Sequence, residues 1–149
     1  MTAKLVEICN LSKSYSKGGK AIQVLQGASF SIERGEMVSV IGASGAGKST
    51  LLHILGTLDV PDSGTVRYAG KDLGGLSSAQ LADFRNKELG FVFQFHHLLG
   101  EFTALENVMM PALIRRLPIG QAREMATLAL HDVGLSHRLS HRPDRKSVV

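Results

Sequence analysis

The sequence predicts an α/β fold followed by a helical region, and three observations carry that prediction. The apolar run "MVSVIG" leads at once into the glycine-rich "GASGAGK" and then into the amphipathic "STLLHILGTL", which is the order strand, loop, helix. Around that unit, strand-like and helix-like segments alternate as far as Gln94. Beyond Gln94 the strand signal fades and two long stretches at helical spacing take over.

The elements follow in order. "KLVEICNL" sets Leu5, Glu7 and Cys9 against Val6 and Ile8, and "VLQGASFSI" alternates similarly, so each predicts a strand with one face toward a core. "ERGE" predicts a turn, and "MVSVIG" a strand buried on both faces. In the helix after the glycines, Leu51, Ile54, Leu55 and Leu58 share a face, and Gly56 with "DVPDSG" ends it. "GTVRYAG" predicts a short strand and turn, and "SSAQLADFRNKELG" a helix opened by Ser77 or Ser78 and closed near Gly90. "FVF" predicts a brief buried strand. Helices are then expected in "TALENVMMPALIRR" and "GQAREMATLALHDVGL"; in the second, Ala122, Met125, Ala126, Ala129 and Val133 form the expected buried face and Gly134 the cap. No internal repeat or low-complexity segment appears.

Composition narrows the class. A chain of 149 residues with 44% hydrophobic and 20% charged residues buries a core, so it is not a disordered tail. Its charge of +4 is interspersed rather than gathered into a stripe, which argues against a nucleic-acid partner. No stretch approaches the roughly 18 apolar residues of a membrane span, and "MTAKLVEICN" lacks the apolar core of a signal peptide, so a cytoplasmic chain is expected. Cys9 can form no internal disulfide; its alternating stretch suggests a structural thiol.

The chemistry is concentrated between Gly42 and Thr50. "GASGAGKST" satisfies G-x-x-x-x-G-K-[ST] with Gly42, Gly47, Lys48 and Ser49 in register. Glycines at 42, 45 and 47 let successive backbone N–H groups converge on a phosphate at a helix N-terminus. Ala43, Ser44 and Ala46 between them are small enough to fit such a loop. Lys48 supplies a mobile cation for the β and γ phosphates, and the Ser49 hydroxyl is placed to ligate Mg²⁺. A strand before and a helix after the loop favour nucleoside triphosphate binding over an accidental glycine-rich turn.

Many proteins use that loop, and the surrounding residues say more. "LSKSY", "VLQGASFSIERGEMVSVIGASGAGKSTLLHILGTLDVPDSG" and "GFVFQ" resemble the ATP-binding cassette (ABC) transporter ATPases along the chain as far as Pro143. "FQFHHLLGEFTALENVMMP" is similar to the lipoprotein-releasing branch of that family. The resemblance implies a P-loop ATPase core, residues 1–95, carrying an adenine-stacking aromatic at Tyr15, the phosphate loop and a Q-loop glutamine at Gln94. It implies the start of a helical subdomain over residues 96–143. Gln94 would reach Mg²⁺ and the attacking water, and Phe95 to Met110 would face a transmembrane permease subunit, with Leu98, Leu99 and Phe102 suited to a groove. Leu105 and Val108 read instead as core. Gly100 stands where the family pattern leads one to expect proline. The adjacent His96 and His97 do not suggest a metal site, since neighbouring residues seldom direct two imidazoles to one ion.

By the same resemblance, the whole protein would form a homodimer of ATPase subunits that binds ATP and Mg²⁺ on the cytoplasmic face of an inner membrane and drives lipoprotein release. Macrolide-export and cell-division ATPases of the family are the neighbouring readings. A DNA-repair ABC ATPase is disfavoured because no coiled-coil heptads occur. After Gln94 no apolar run ends in Asp-Glu, and no "LSGG" is present, so the acidic strand, catalytic glutamate, signature and switch histidine of the family are missing. On this reading the C-terminal half of the domain is absent and the 149 residues bind nucleotide without turnover. The last six residues, "DRKSVV", do not follow the family pattern after "HRP". Translated in frame, a common sequencing-adapter DNA yields the same six residues, so Asp144 to Val149 are expected to be a non-native tail.

Overall fold

The structure, a computed structural model, describes residues 4–95 and 97–143; His96 and the expected non-native tail lie outside them. It divides between Leu89 and Gly90 into two compact units.

The first unit is built on two long strands, β1 (Lys4–Lys17) and β2 (Lys20–Glu33), with β3 (Ser63–Tyr68) and β4 (Lys71–Asp72) completing an antiparallel sheet of order β2-β1-β3-β4. Helices α1 (Lys48–Leu55) and α2 (Ser78–Glu88) belong to the same unit. The core is Val6, Ile8 and Leu11 of β1, Leu25 of β2, Leu51 and Ile54 of α1, Val66 of β3 and Leu73, with Leu81 and Phe84 of α2 packed against it. Ile8 and Leu11 are the most completely buried large side chains, each contributing on the order of 2 kcal/mol.

Simple alternation does not put positions 6, 8 and 11 on one face. A bulge does: Asn10 takes a left-handed φ of 51°, and the pairing of β1 shifts between Ile8 and Leu11 against β2 and between Cys9 and Ser12 against β3. Ser29 Oγ accepts from the Asn10 N–H at 2.8 Å, keeping that donor satisfied. Gly64 of β3 lies against the bulge, where an added Cβ would sit 2.6 Å from the Cys9 carbonyl oxygen and 2.5 Å from that of Asn10. Cys9 is exposed, so its thiol is not a buried structural one as expected.

Helix α1 ends as its sequence suggests, at Gly56, but through a Schellman motif in which Thr57 holds the left-handed position with φ 55°. The Thr57 and Leu58 N–H groups return to the Ile54 and His53 carbonyls at 2.9 and 2.8 Å. Two neighbours bind further carbonyls at this end: the Tyr68 hydroxyl donates to Leu55 O at 2.6 Å and Arg85 Nη1 to Thr57 O at 2.7 Å. Leu51 and Ile54 of the predicted face are buried; Leu55 packs partly, and Leu58, past the helix end, is exposed. Ser77 caps α2 with a full capping box to Gln80.

Two predicted strands are not strands. Residues 36–41 and 91–93 are irregular, with Met37 98% and Ile41 90% exposed and Val92 open as well. A run that reads as buried on both faces needs a pairing strand on each side, and among the described residues neither segment has one. The "ERGE" turn does form, Glu36 N–H donating to Glu33 O at 3.3 Å.

In the second unit α3 (Ala104–Ile114) and α4 (Ile119–Asp132) pack through Met109, Ala112, Ala122 and Ala126, with Leu105 and Leu117 beside them. The buried face of α4 is Ala122, Ala126 and Leu130, an i, i+4, i+8 line. Met125, Ala129 and Val133 of the expected face are exposed, because the stripe that meets α3 is narrower than an amphipathic helix on a sheet requires. Gly134 takes φ 73° after α4, as the sequence predicts for the cap. Every first-turn N–H of α3 has an acceptor. His141 and Leu139 carbonyls take those of Ala104 and Leu105 at 2.7 and 3.1 Å, and Thr103 Oγ1 takes that of Glu106 at 3.2 Å.

Gly64→Ala should cost about 3 kcal/mol, since the intruding methyl meets backbone that cannot step aside; a denaturant midpoint unchanged from the native chain would refute that.

Candidate nucleotide site

The loop from Gly42 to Lys48 is seated on β2. Gly47 adopts φ 88° and is buried; a Cβ there would stand 2.9 Å from both the Val24 side chain and the Val24 carbonyl oxygen. Conformation and space therefore both demand glycine. Gly47 is also the N-cap of α1, makes no side-chain cap, and is followed by no acidic residue in the first turn. The helix start keeps its positive end without a side-chain acceptor, the condition that suits a phosphate.

Lys48 holds the loop curled. Its ammonium donates to the Gly42 and Ala43 carbonyls at 2.8 and 2.7 Å, leaving one of three N–H bonds for a ligand. The Ala46 N–H closes a turn on Ala43 O at 3.2 Å, Gly45 supplies φ 80°, and Ala43, Ser44 and Ser49 are exposed while Thr50 is half-buried. The structure thus brings Gly42 through Thr50 together as one loop and helix start. Ser49 presents a hard oxygen donor of the kind Mg²⁺ takes, and a phosphate would supply others.

Tyr15 lies near the end of β1, two residues before the turn into β2, paired with Ile22 of β2, and is 40% exposed. Its hydroxyl donates to Asp59 Oδ2 at 2.6 Å, and Lys13 Nζ stands 5.2 Å over its ring. Lys13 in turn binds Asp59 Oδ1 at 3.0 Å and the Val60 carbonyl at 2.6 Å, with Asp62 Oδ1 at 3.7 Å. Asp62 also accepts from the Ser14 N–H at 2.6 Å. The Tyr15 hydroxyl, followed by Lys13, holds the Asp59 carboxyl below the usual carboxylate range, and the Asp59 hydrogen bond holds the Lys13 ammonium above its ordinary value. None of Lys13, Asp59 or Asp62 was legible as a site residue, because partners 44 to 48 positions apart leave no local signal.

In the second unit Gln94 is an exposed residue in a bend just after the stacked rings of Phe91 and Phe93, 5.2 Å apart. His97, with φ 49°, meets Phe93 edge-on at 4.9 Å. Leu98, Leu99 and Phe102 are exposed, and Leu105 packs on the α3–α4 core as expected. Val108 does not; it is exposed, at the flank of the face that carries Leu105, Met109 and Ala112. Asn107, unnoticed in the sequence, organises the preceding loop. Its amide donates to the Leu99, Phe102 and Thr103 carbonyls at 3.1, 3.1 and 2.9 Å and its oxygen accepts the Leu99 N–H at 2.9 Å.

Both charged partners of the Tyr15 cluster have shifts of opposite sense, so its pH dependence has two limbs. The depressed Asp59 contributes stability that is complete above its unfolded value, about 3.9, and is lost as the pH falls through its folded value. The raised Lys13 contributes below its ordinary value of 10.5 and is lost as the pH rises through the folded one. Asp59→Ala should cost about 1.5 kcal/mol at neutral pH, with the gap from the native chain narrowing below about pH 3.9; thermal melts across pH check it, and a gap independent of pH would contradict it.

Comparisons with known proteins agree with this geometry. The ABC transporter family profile matches residues 25–148. A "Lipoprotein-releasing system ATP-binding protein LolD" from Geobacter metallireducens is 52% identical over 145 residues, 97% of this chain and 64% of the relative. The protein of the same name from Myxococcus xanthus is 54% identical over 143 residues, 96% of this chain and 64% of the relative. The chain thus spans just under two thirds of the length of these relatives. Among solved structures, a dimeric ATP-binding cassette in a post-hydrolysis state bound to ADP and Pi superposes with a TM-score of 0.85 at 34% identity, covering 93% of this chain and 62% of that one. A phosphate loop seated on β2, a matching fold and this identity along nearly its whole length lead to one conclusion: the chain belongs to the ABC transporter family.

Proposed function

We propose that the chain is the nucleotide-binding part of an ATPase that powers lipoprotein release from a bacterial inner membrane. The observation that carries this reading is the identity of 52% and 54% to two lipoprotein-releasing ATP-binding proteins, spanning the phosphate loop and the segment around Gln94 alike. In the whole protein the reaction is in-line attack of water on the γ phosphate of ATP. Lys48 neutralises charge that develops on the transferred group, and the first N–H groups of α1 hold the phosphates in line. Mg²⁺, when bound, offsets charge on the β and γ phosphates. Ser49 and Gln94 would hold it, and Gln94 would also orient the water. Tyr15 offers its exposed ring to adenine.

The partners on this reading are a second ATPase subunit and transmembrane permease subunits, with the exposed Leu98, Leu99 and Phe102 meeting a permease. Among the described residues no helix is long and apolar enough to cross a membrane, which fits a peripheral subunit on the cytoplasmic face. The 149 residues alone bind ATP without turnover, because no acidic pair follows an apolar run after Gln94.

Calorimetry with Mg·ATP should show binding that Lys48→Ala weakens roughly tenfold to a hundredfold, the worth of a charge-assisted contact. Phosphate release by the 149-residue chain that disappears in Lys48→Ala would overturn the reading without turnover. For the transported class, residues 1–143 can replace the matching segment of the Geobacter relative in cells depleted of their own lipoprotein-releasing ATPase. Restored lipoprotein sorting is the expected outcome. A well-expressed chimera that hydrolyses ATP yet restores no sorting would favour a macrolide-export or cell-division assignment.

A further inference from the structure

Tyr15 is more constrained than an exposed ring at a strand end needs to be. Its hydroxyl donates to Asp59, and Asp59 is itself fixed from three sides: Lys13 and the Val60 N–H bind its Oδ1 at 3.0 and 2.7 Å, and its own N–H returns to the His53 carbonyl at 3.3 Å. His53 lies in the last turn of α1, the helix whose first residue is Lys48. One short rigid element therefore carries the phosphate loop at its start and the acceptor for the Tyr15 hydroxyl just past its end. Lys13, whose side chain is only 12% exposed, covers one face of the ring and directs its ammonium to Asp59, the Val60 carbonyl and Asp62. Tyr15 remains 40% exposed, and an exposed aromatic ring is a surface on which a base can stack.

We propose that Asp59 is a positioning residue for the nucleotide base: by fixing the Tyr15 ring relative to α1, it sets the distance between the phosphate loop and the stacking surface. This rests on the reading of Tyr15 as the adenine-stacking residue. Asp59 touches no part of the nucleotide and adds no contact to it. Its effect is to remove the rotational freedom that an untethered ring would lose on binding, a saving of the size that ordering one side chain costs. The effect is confined to ligands that carry a base, which separates positioning from a general support of the fold.

The test compares Mg·ATP with Mg·tripolyphosphate, which carries the phosphates without the base, by calorimetry on the 149-residue chain. Asp59→Ala and Tyr15→Phe should each weaken ATP roughly fivefold relative to tripolyphosphate, and the double variant should lose no more than either alone. Tyr15→Ala should lose the preference altogether. If Tyr15→Ala abolishes the preference while Asp59→Ala and Tyr15→Phe keep it, stacking stands and the role of Asp59 is overturned. Equal weakening of both ligands by Asp59→Ala overturns it too, as a purely structural effect. If Tyr15→Ala itself keeps the preference, the stacking reading falls and the role of Asp59 falls with it.

Discussion

The first unit depends on one backbone constraint, the close approach of Gly64 to the bulge at Cys9 and Asn10. Without the bulge, the alternation that buries Val6 and Ile8 would bury Asn10 and expose Leu11, one of the two most completely buried large side chains. Two further shifts of register, one on either side of Lys13, precede Tyr15 and set the faces that Lys13 and Tyr15 take as β1 runs on. They meet the segment after α1, and Asp62 closes the junction with its N–H on Ser12 O at 2.9 Å and its carboxylate on the Ser14 N–H. A missing methyl group on β3 thus admits the bulge that sets the packing of the core on the neighbouring strand.

Helix α1 transmits that order to the phosphate loop. Its C-terminal end is tied by Tyr68 from β3 and Arg85 from α2, and the segment beyond it by Lys13 from β1. Its N-terminal end is pressed on β2 by the absence of a side chain at Gly47. A helix of eight residues has little stability of its own, so these tertiary ties are what keep its positive end aimed at the loop. The Lys48 ammonium bridges two carbonyls of the loop and so helps to hold its curl. Preorganisation of this kind lowers the cost of binding.

The second unit solves a different problem, that of presenting an apolar loop without leaving polar backbone unpaired. Asn107 does so by exchanging both amide groups with the Leu99 backbone and taking two further carbonyls. Thr103 and Glu106 cap the helix that follows, and the returning segment at Leu139 and His141 satisfies the remaining first-turn donors. The Thr103 backbone and hydroxyl, both donating to Glu106, hold its carboxyl below the usual range. Leu98, Leu99 and Phe102 can then stay exposed on a defined backbone.

The glycine-rich loop was legible in the sequence because its conformation is local: Gly42 to Ser49 lie within one turn of chain and helix start, and the glycines there take the positive φ and the close approach that their type permits. The helices, their caps at Ser77 and Gly134 and the strands around Val6 and Val66 were legible for the same reason. The runs at 36–41 and 91–93 were misread because burial on two faces is a property of neighbouring strands, not of the run itself. Likewise the buried line on α4 was set by the narrow partner α3, and the bulge at Asn10 by a strand more than fifty residues away. Sequence by itself determined the family and the local shape of the glycine-rich loop. Only the tertiary structure decided that Asp59 and Lys13 hold Tyr15 and that Asn107 holds the loop before α3, since side-chain hydrogen bonds between distant segments exist only once the core has brought them together.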